Sequence, residues 1–168
     1  MLAILLLTFG FATRLFIHTP NFTPVIALAL FGGVYLNKKY ALILPLGLMA
    51  ISDMAIGMHN VVFFTWGSIV AIALLGMWLK SRNNWVNIAS TNLVGAVLFF
   101  IVTNFGVWAM GWYPLTLAGL ADCFWLAIPF FRTTLLSTIV YSVILFGLYE
   151  LVAYRVKDTR LARVLLTN

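Results

Sequence analysis

Charged residues are what this chain has least of: 8% of its 168 positions, against about a quarter in an ordinary soluble domain. With 64% hydrophobic residues and a mean hydropathy of +1.08, that scarcity excludes a water-soluble globule and implies an integral membrane protein. Cysteine is almost missing too. Cys123 stands alone, so no intramolecular disulfide can form, and no Cys/His cluster has zinc-ligand spacing. There is no H-E-x-x-H, no nucleophile elbow around Gly67-Ser68 and no Walker loop, so neither a zinc protease, a serine hydrolase nor an ATPase is expected. Every lysine sits at a segment end or in the tail, which argues against a buried Schiff base. His18 and His59 fall in turns, so a haem clamped between helices is not expected either. No cofactor is implied. The net charge of +6 is spread between apolar segments and forms no basic face, so nucleic acid is not an expected partner and membrane lipid is.

What is present is a regular alternation. Basic residues cluster at Lys38-Lys39, at Lys80 and Arg82, and at Arg155, Lys157, Arg160 and Arg163, with apolar stretches between them. Placing each cluster on the cytoplasmic side predicts an all-α protein that crosses six times, with both termini inside. The predicted spans are 2–17, 22–36, 41–57, 61–79, 86–111 and 133–154, in one domain covering 1–168. The N-terminal segment lacks a basic stretch ahead of its apolar run, so it reads as a retained first helix rather than a signal peptide. Asn21-Phe22-Thr23 matches a glycosylation sequon by chance. Gly32-Gly33 predicts a close helix crossing. Trp78 and Trp85 bracket the inner boundary of the fourth and fifth spans. The segment 112–132 is apolar but contains Asp122 and is bounded by Pro114 and Pro129. A seventh crossing there would put the basic tail outside, so a rim helix over about 115–130 is expected on the outer face.

In this topology Arg14, His18, Asp53, His59, Asn104, Asp122 and Arg132 all fall in the outer half or its loops. Ionisable groups at that depth must pair or face water. Two acids and two arginines can satisfy one another, but so many different groups at one face of so small a bundle point to a polar pocket. Arginine offers a planar fork suited to a carboxylate or phosphate. Asp53 can pair with a cationic group or orient an arginine. Asn104, inside the fifth span, must bond a neighbouring helix or face a ligand. Trp66, Trp108, Trp112, Tyr113 and Trp125 lie at the outer level, mostly as interfacial belt residues, with one or two available to stack on a solute. Glu150, at the inner boundary, is expected to pair with a basic tail residue such as Arg155.

The run Asn21-Phe-Thr-Pro-Val-Ile-Ala-Leu-Ala-Leu-Phe-Gly-Gly, continuing to Ser52-Asp53, resembles the second and third helices of substrate-binding subunits of energy-coupling-factor transporters. Thr103-Asn-Phe-Gly-Val-Trp, Tyr113-Pro, Leu117-Ala-Gly-Leu and Ala127-Ile-Pro-Phe-Phe-Arg-Thr-Thr-Leu resemble a small bacterial family of uncharacterised transport proteins. The resemblance implies six helices in the bacterial cytoplasmic membrane and a solute site open to the outside. It also implies a partner module of one membrane subunit and two ATPases, or another membrane complex. By position it nominates Asp53, Asn104, Trp108, Tyr113, Asp122 and Arg132. The small residues four apart that dock such subunits are replaced on the first helix by Thr8 and Ala12.

Together these features predict a non-enzymatic uptake protein for a small, vitamin-like anionic or zwitterionic solute. Arg14 and Arg132 would hold its negative group, Asp53 and Asn104 would orient it, a tryptophan would cover it, and Asp122 would tether the rim helix as a lid. The competing expectation is an accessory subunit of a larger membrane complex, whose short loops would suit it equally.

Overall fold

Local signals set the helix ends. Asn37 accepts a hydrogen bond from the Tyr40 amide and Asn84 from the Asn87 amide, so each starts a helix as its N-cap. Pro24, which has no N–H to lose, stands at the start of another, and Thr116 caps the longest by accepting from the Gly119 amide. The computed structural model describes residues 1–16 and 21–166. Its helices are α1 (Leu2–Phe16), α2 (Val25–Tyr35), α3 (Lys38–Ile56), α4 (Val62–Leu79), α5 (Trp85–Ala109), α6 (Leu117–Val156) and the short α7 (Leu161–Leu165). A single 3-10 turn, Lys80–Arg82, follows α4, and among the described residues there is no strand.

Helices α3, α4, α5 and α6 are long and apolar enough to cross a membrane; α1 and α2 are apolar but shorter. Large apolar side chains such as Ile43, Phe63, Leu74, Val94, Ile101 and Val143 are exposed, a surface fit for lipid tails rather than water. The described bundle is therefore that of a membrane protein.

Helix α2 is its axis. Every residue of α2 except Tyr35 is buried, and α1, α3, α4, α5 and α6 all pack against it. On one side Leu28 and Phe31 meet Leu7 of α1 and Leu145 and Phe146 of α6; on the other Ile26 and Leu30 meet Ile69 and Ile72 of α4 and Ala96 of α5. The close crossing expected of Gly32-Gly33 is made by Gly33. A Cβ there would collide with the Ala73 carbonyl oxygen and with Gly76, and one on Gly76 would collide with the Leu30 carbonyl oxygen. The two backbones of α2 and α4 thus touch directly, as small residues allow in membrane bundles.

The structure corrects the reading of 112–132. No separate rim helix exists over 115–130; that segment is the first part of α6, which continues unbroken to Val156. Pro129 marked an expected boundary because proline removes a helix hydrogen bond, yet packed neighbours make such a loss tolerable within a membrane helix. Helix α6 runs antiparallel to α5 along most of the length of α5. Cys123 lies by the Asn104 carbonyl, Phe100 meets Phe124 and Phe131, Ser142 bonds Asn92, and Gly147 faces Trp85. Residues 148–156 extend past the start of α5. At about 1.5 Å per residue, the 40 residues of α6 measure about 60 Å, twice the hydrocarbon thickness of about 30 Å.

The basic clusters around Lys38, Lys80 and the C-terminal tail gather at one end. Lys80 donates to the Leu36 carbonyl at 3.1 Å, the Tyr35 and Tyr149 rings lie 3.8 Å apart, and the amino terminus donates to the Leu165 carbonyl at 3.3 Å. Arg82 stacks on Trp78 and Lys157 on Tyr154. The opposite end holds the polar site.

Candidate functional site

Asp53 lies in the last turn of α3, and Arg14 near the end of α1. Both therefore arrive at the end of the bundle remote from the basic clusters. Arg14 Nη2 donates to Asp53 Oδ1 at 2.7 Å, and Trp66 Nε1, from the second turn of α4, donates to Oδ2 at 2.8 Å. Arg14 Nη1 donates to the Ser52 hydroxyl and to the Met49 sulfur. Both carboxylate oxygens are thus engaged, and three helices are tied by one polar knot. The side chain of Asp53 is 2% exposed and that of Arg14 14%, so the acid lies behind and the guanidinium in front.

What Arg14 faces is a cavity of about 330 Å³. The beginning of α2, the turn before α4 and the facing sides of α5 and α6 close it. Its apolar wall includes Phe99, Phe100, Phe130 and Phe131; its polar wall includes Arg14, Asn21, Thr23, His59, Thr65, Thr103, Asn104 and Thr134. Arg14 and His59 are the ionisable side chains on this wall, and Asp53 does not reach it. His59 is half-buried, and its Nδ1 is buried without a hydrogen-bond partner among the described residues. Asn104 donates to the Phe100 carbonyl of its own helix at 2.8 Å, which holds its amide against the wall. Thr103 and Thr134 likewise donate to carbonyls one turn back, leaving their oxygens able to accept. The arrangement is an aromatic slot with a guanidinium at one side, whose terminal nitrogens are engaged by Asp53, Ser52 and Met49.

The sequence-based candidates divide. Arg14 and Asn104 line the cavity, and Asp53 buttresses Arg14 from behind. Trp108 and Tyr113 lie outside the wall: Trp108 Nε1 donates to the Pro114 carbonyl at 3.0 Å and so pins the α5–α6 turn, in which Tyr113 is half-buried. Asp122 and Arg132 are exposed on α6, on neither the cavity wall nor, among the described residues, an ion pair. His18 falls outside the described residues. Sequence reasoning placed Trp66 in the interfacial belt and overlooked its contact with Asp53. A buried acid needs more than one donor, and Trp66 is a donor of the right reach on the next helix. The four phenylalanines read as ordinary apolar residues, because nothing in the one-dimensional pattern distinguishes a cavity wall from a lipid face. Among the described residues no three His, Cys, Asp or Glu side chains gather as metal ligands.

Among curated proteins and among solved structures nothing matches the chain. No comparison ties it to energy-coupling-factor subunits; that resemblance rests on the sequence run alone. A family model does match, over residues 1–161, and its description is a family of unknown function. An aromatic, arginine-fronted cavity at one end of a membrane helix bundle is thus a feature of a member of that family: the chain belongs to DUF6580.

Proposed function

We propose that the chain crosses the bacterial cytoplasmic membrane six times, with both ends inside, and takes up a small organic anion from the outer face. The observation that carries this reading is the cavity, whose wall presents Arg14 while its counter-charge Asp53 is hidden. The basic clusters lie at the other end, which the charge rule assigns to the cytoplasm, so the cavity belongs to the outer half. Its volume of about 330 Å³ is near the lower limit for ligand pockets, about 300 Å³, and suits a single-ring solute. Helix α2 begins at the cavity wall without a side-chain cap, so its positive dipole end reinforces the preference for an anion. Arg14 holds the anionic group, Asn104 and the threonines orient the polar edge, and the phenylalanines cover the ring. Asp53 positions Arg14 rather than the solute. Trp108, Tyr113, Asp122 and Arg132 lie outside the slot, the first two at the α5–α6 turn and the others on α6.

Benzoate and its uncharged amide are a matched pair of probes. Benzoate is expected to raise the thermal stability of the purified protein in nanodiscs, benzamide is not, and Arg14→Gln should abolish the difference. Equal effects of both probes, or none from either, would refute the anion site.

One observation favours a second reading. Arg132 is exposed among apolar α6 residues with no ion-pair partner among the described residues, as expected where an acidic partner subunit would dock. Native mass spectrometry of gently extracted protein separates the two. A stoichiometric second chain lost on Arg132→Ala supports the accessory role, and a small bound mass supports uptake.

A further inference from the structure

We infer that the anionic solute enters the cavity together with one proton, and that Asp53 is the group that takes the proton up. This rests on the reading of the cavity as an anion site. The charge balance of the knot carries it. Before binding, Arg14 and Asp53 neutralise each other. Ser52 and Met49 from α3 and Trp66 from α4 complete the surroundings of the pair and add no charge. The α5 and α6 sides of the cavity wall contribute Asn104, Thr103 and Thr134, again uncharged, and the turn before α4 contributes His59. A solute carboxylate drawn to Arg14 therefore adds a second anion opposite a single cation, in a site walled by phenylalanine. An unpaired buried charge is strongly unfavourable. The Arg14 N–H that served Asp53 Oδ1 turns to the solute oxygen. Asp53 gains one proton from water and becomes a neutral acid, still accepting from Trp66. The charge sum is zero before and after, with one solute anion and one proton consumed.

Linkage fixes the consequence: one proton bound per solute lowers affinity by about tenfold for each unit rise in pH. The test titrates the full chain in nanodiscs with benzoate, measuring heat in buffers of different ionisation enthalpy. The wild type should take up one proton per benzoate, and D53N should bind with no proton uptake and a flat pH profile. Binding without proton uptake in the wild type overturns the inference. So does uptake that persists in D53N and disappears in H59Q, which assigns the proton to His59. Failure of benzoate to bind at any pH instead removes the anion site itself, and this inference with it. A difference infrared spectrum of the wild type, benzoate-bound minus free, needs no substitution. A new protonated-carboxyl C=O band is expected, and benzoate binding without that band refutes the assignment to Asp53.

Discussion

Asp53 accepts one hydrogen bond from a cation on α1 and another from an indole on α4, so its two oxygens report on two different neighbours. Removing either donor strands a charge or a lone pair in an apolar bundle. Arg14→Leu is expected to destabilise the protein by about 3–5 kcal/mol, the range for breaking a buried pair from one side. Trp66→Phe, which leaves Oδ2 without its donor, should cost about 1–3 kcal/mol. The double change Arg14→Leu with Asp53→Leu should recover most of the first loss, because no isolated charge remains. Denaturant unfolding in micelles followed by circular dichroism would rank the three; a double variant no better than Arg14→Leu would show that the pair is not the source. Much of this was legible in the sequence, since an arginine and an acid in outer segments of an apolar chain must be satisfied somehow. What the one-dimensional pattern left open was the choice of partner. Arg132 and Asp122 had equal claims, and only the packing of α1 against α3 separates the buried pair from the exposed one.

Among the helices, the α2–α4 crossing is the least forgiving contact. Gly33→Leu has no side-chain neighbour that can yield, since it meets the Ala73 carbonyl and the Gly76 backbone. It should cost more than the roughly 1–3 kcal/mol of ordinary overpacking. Ser142→Ala offers the contrast. It removes the 2.7 Å bond to Asn92 between α5 and α6, a type of contact worth on average about 0.6 kcal/mol in membrane bundles. Unfolding measurements that reversed this order would mean the glycine contact is plastic. The helices were readable where the apolar runs were long and continuous: α4 and α5 fall within two residues of the expected spans. Helix α6 was misread because Pro129 and Asp122 are boundary signals only when the chain around them is free to turn. Packed along α5, the segment has its neighbours fixed, and the helix runs through both.

For the whole molecule, the orientation rests on where the lysines and arginines lie. A C-terminal fluorescent-protein fusion should be bright and a C-terminal alkaline phosphatase fusion inactive in bacteria, with moderate loss of that bias when Arg155, Lys157, Arg160 and Arg163 become glutamine. An active phosphatase would invert the topology and move the cavity to the cytoplasmic side. The central helix carries a different consequence. Helix α2 has 11 residues, about 17 Å by the usual rise, and shows lipid almost no surface. A segment that short is poorly retained in a bilayer by itself, so its place depends on the walls that later parts of the chain supply. Helix α2 is therefore expected to be secured only after α3 and α4 insert, with α6 closing the ring around it. A chain stalled after α2 would have its most apolar element with nothing to hold it, and would be the form that quality-control proteases meet first.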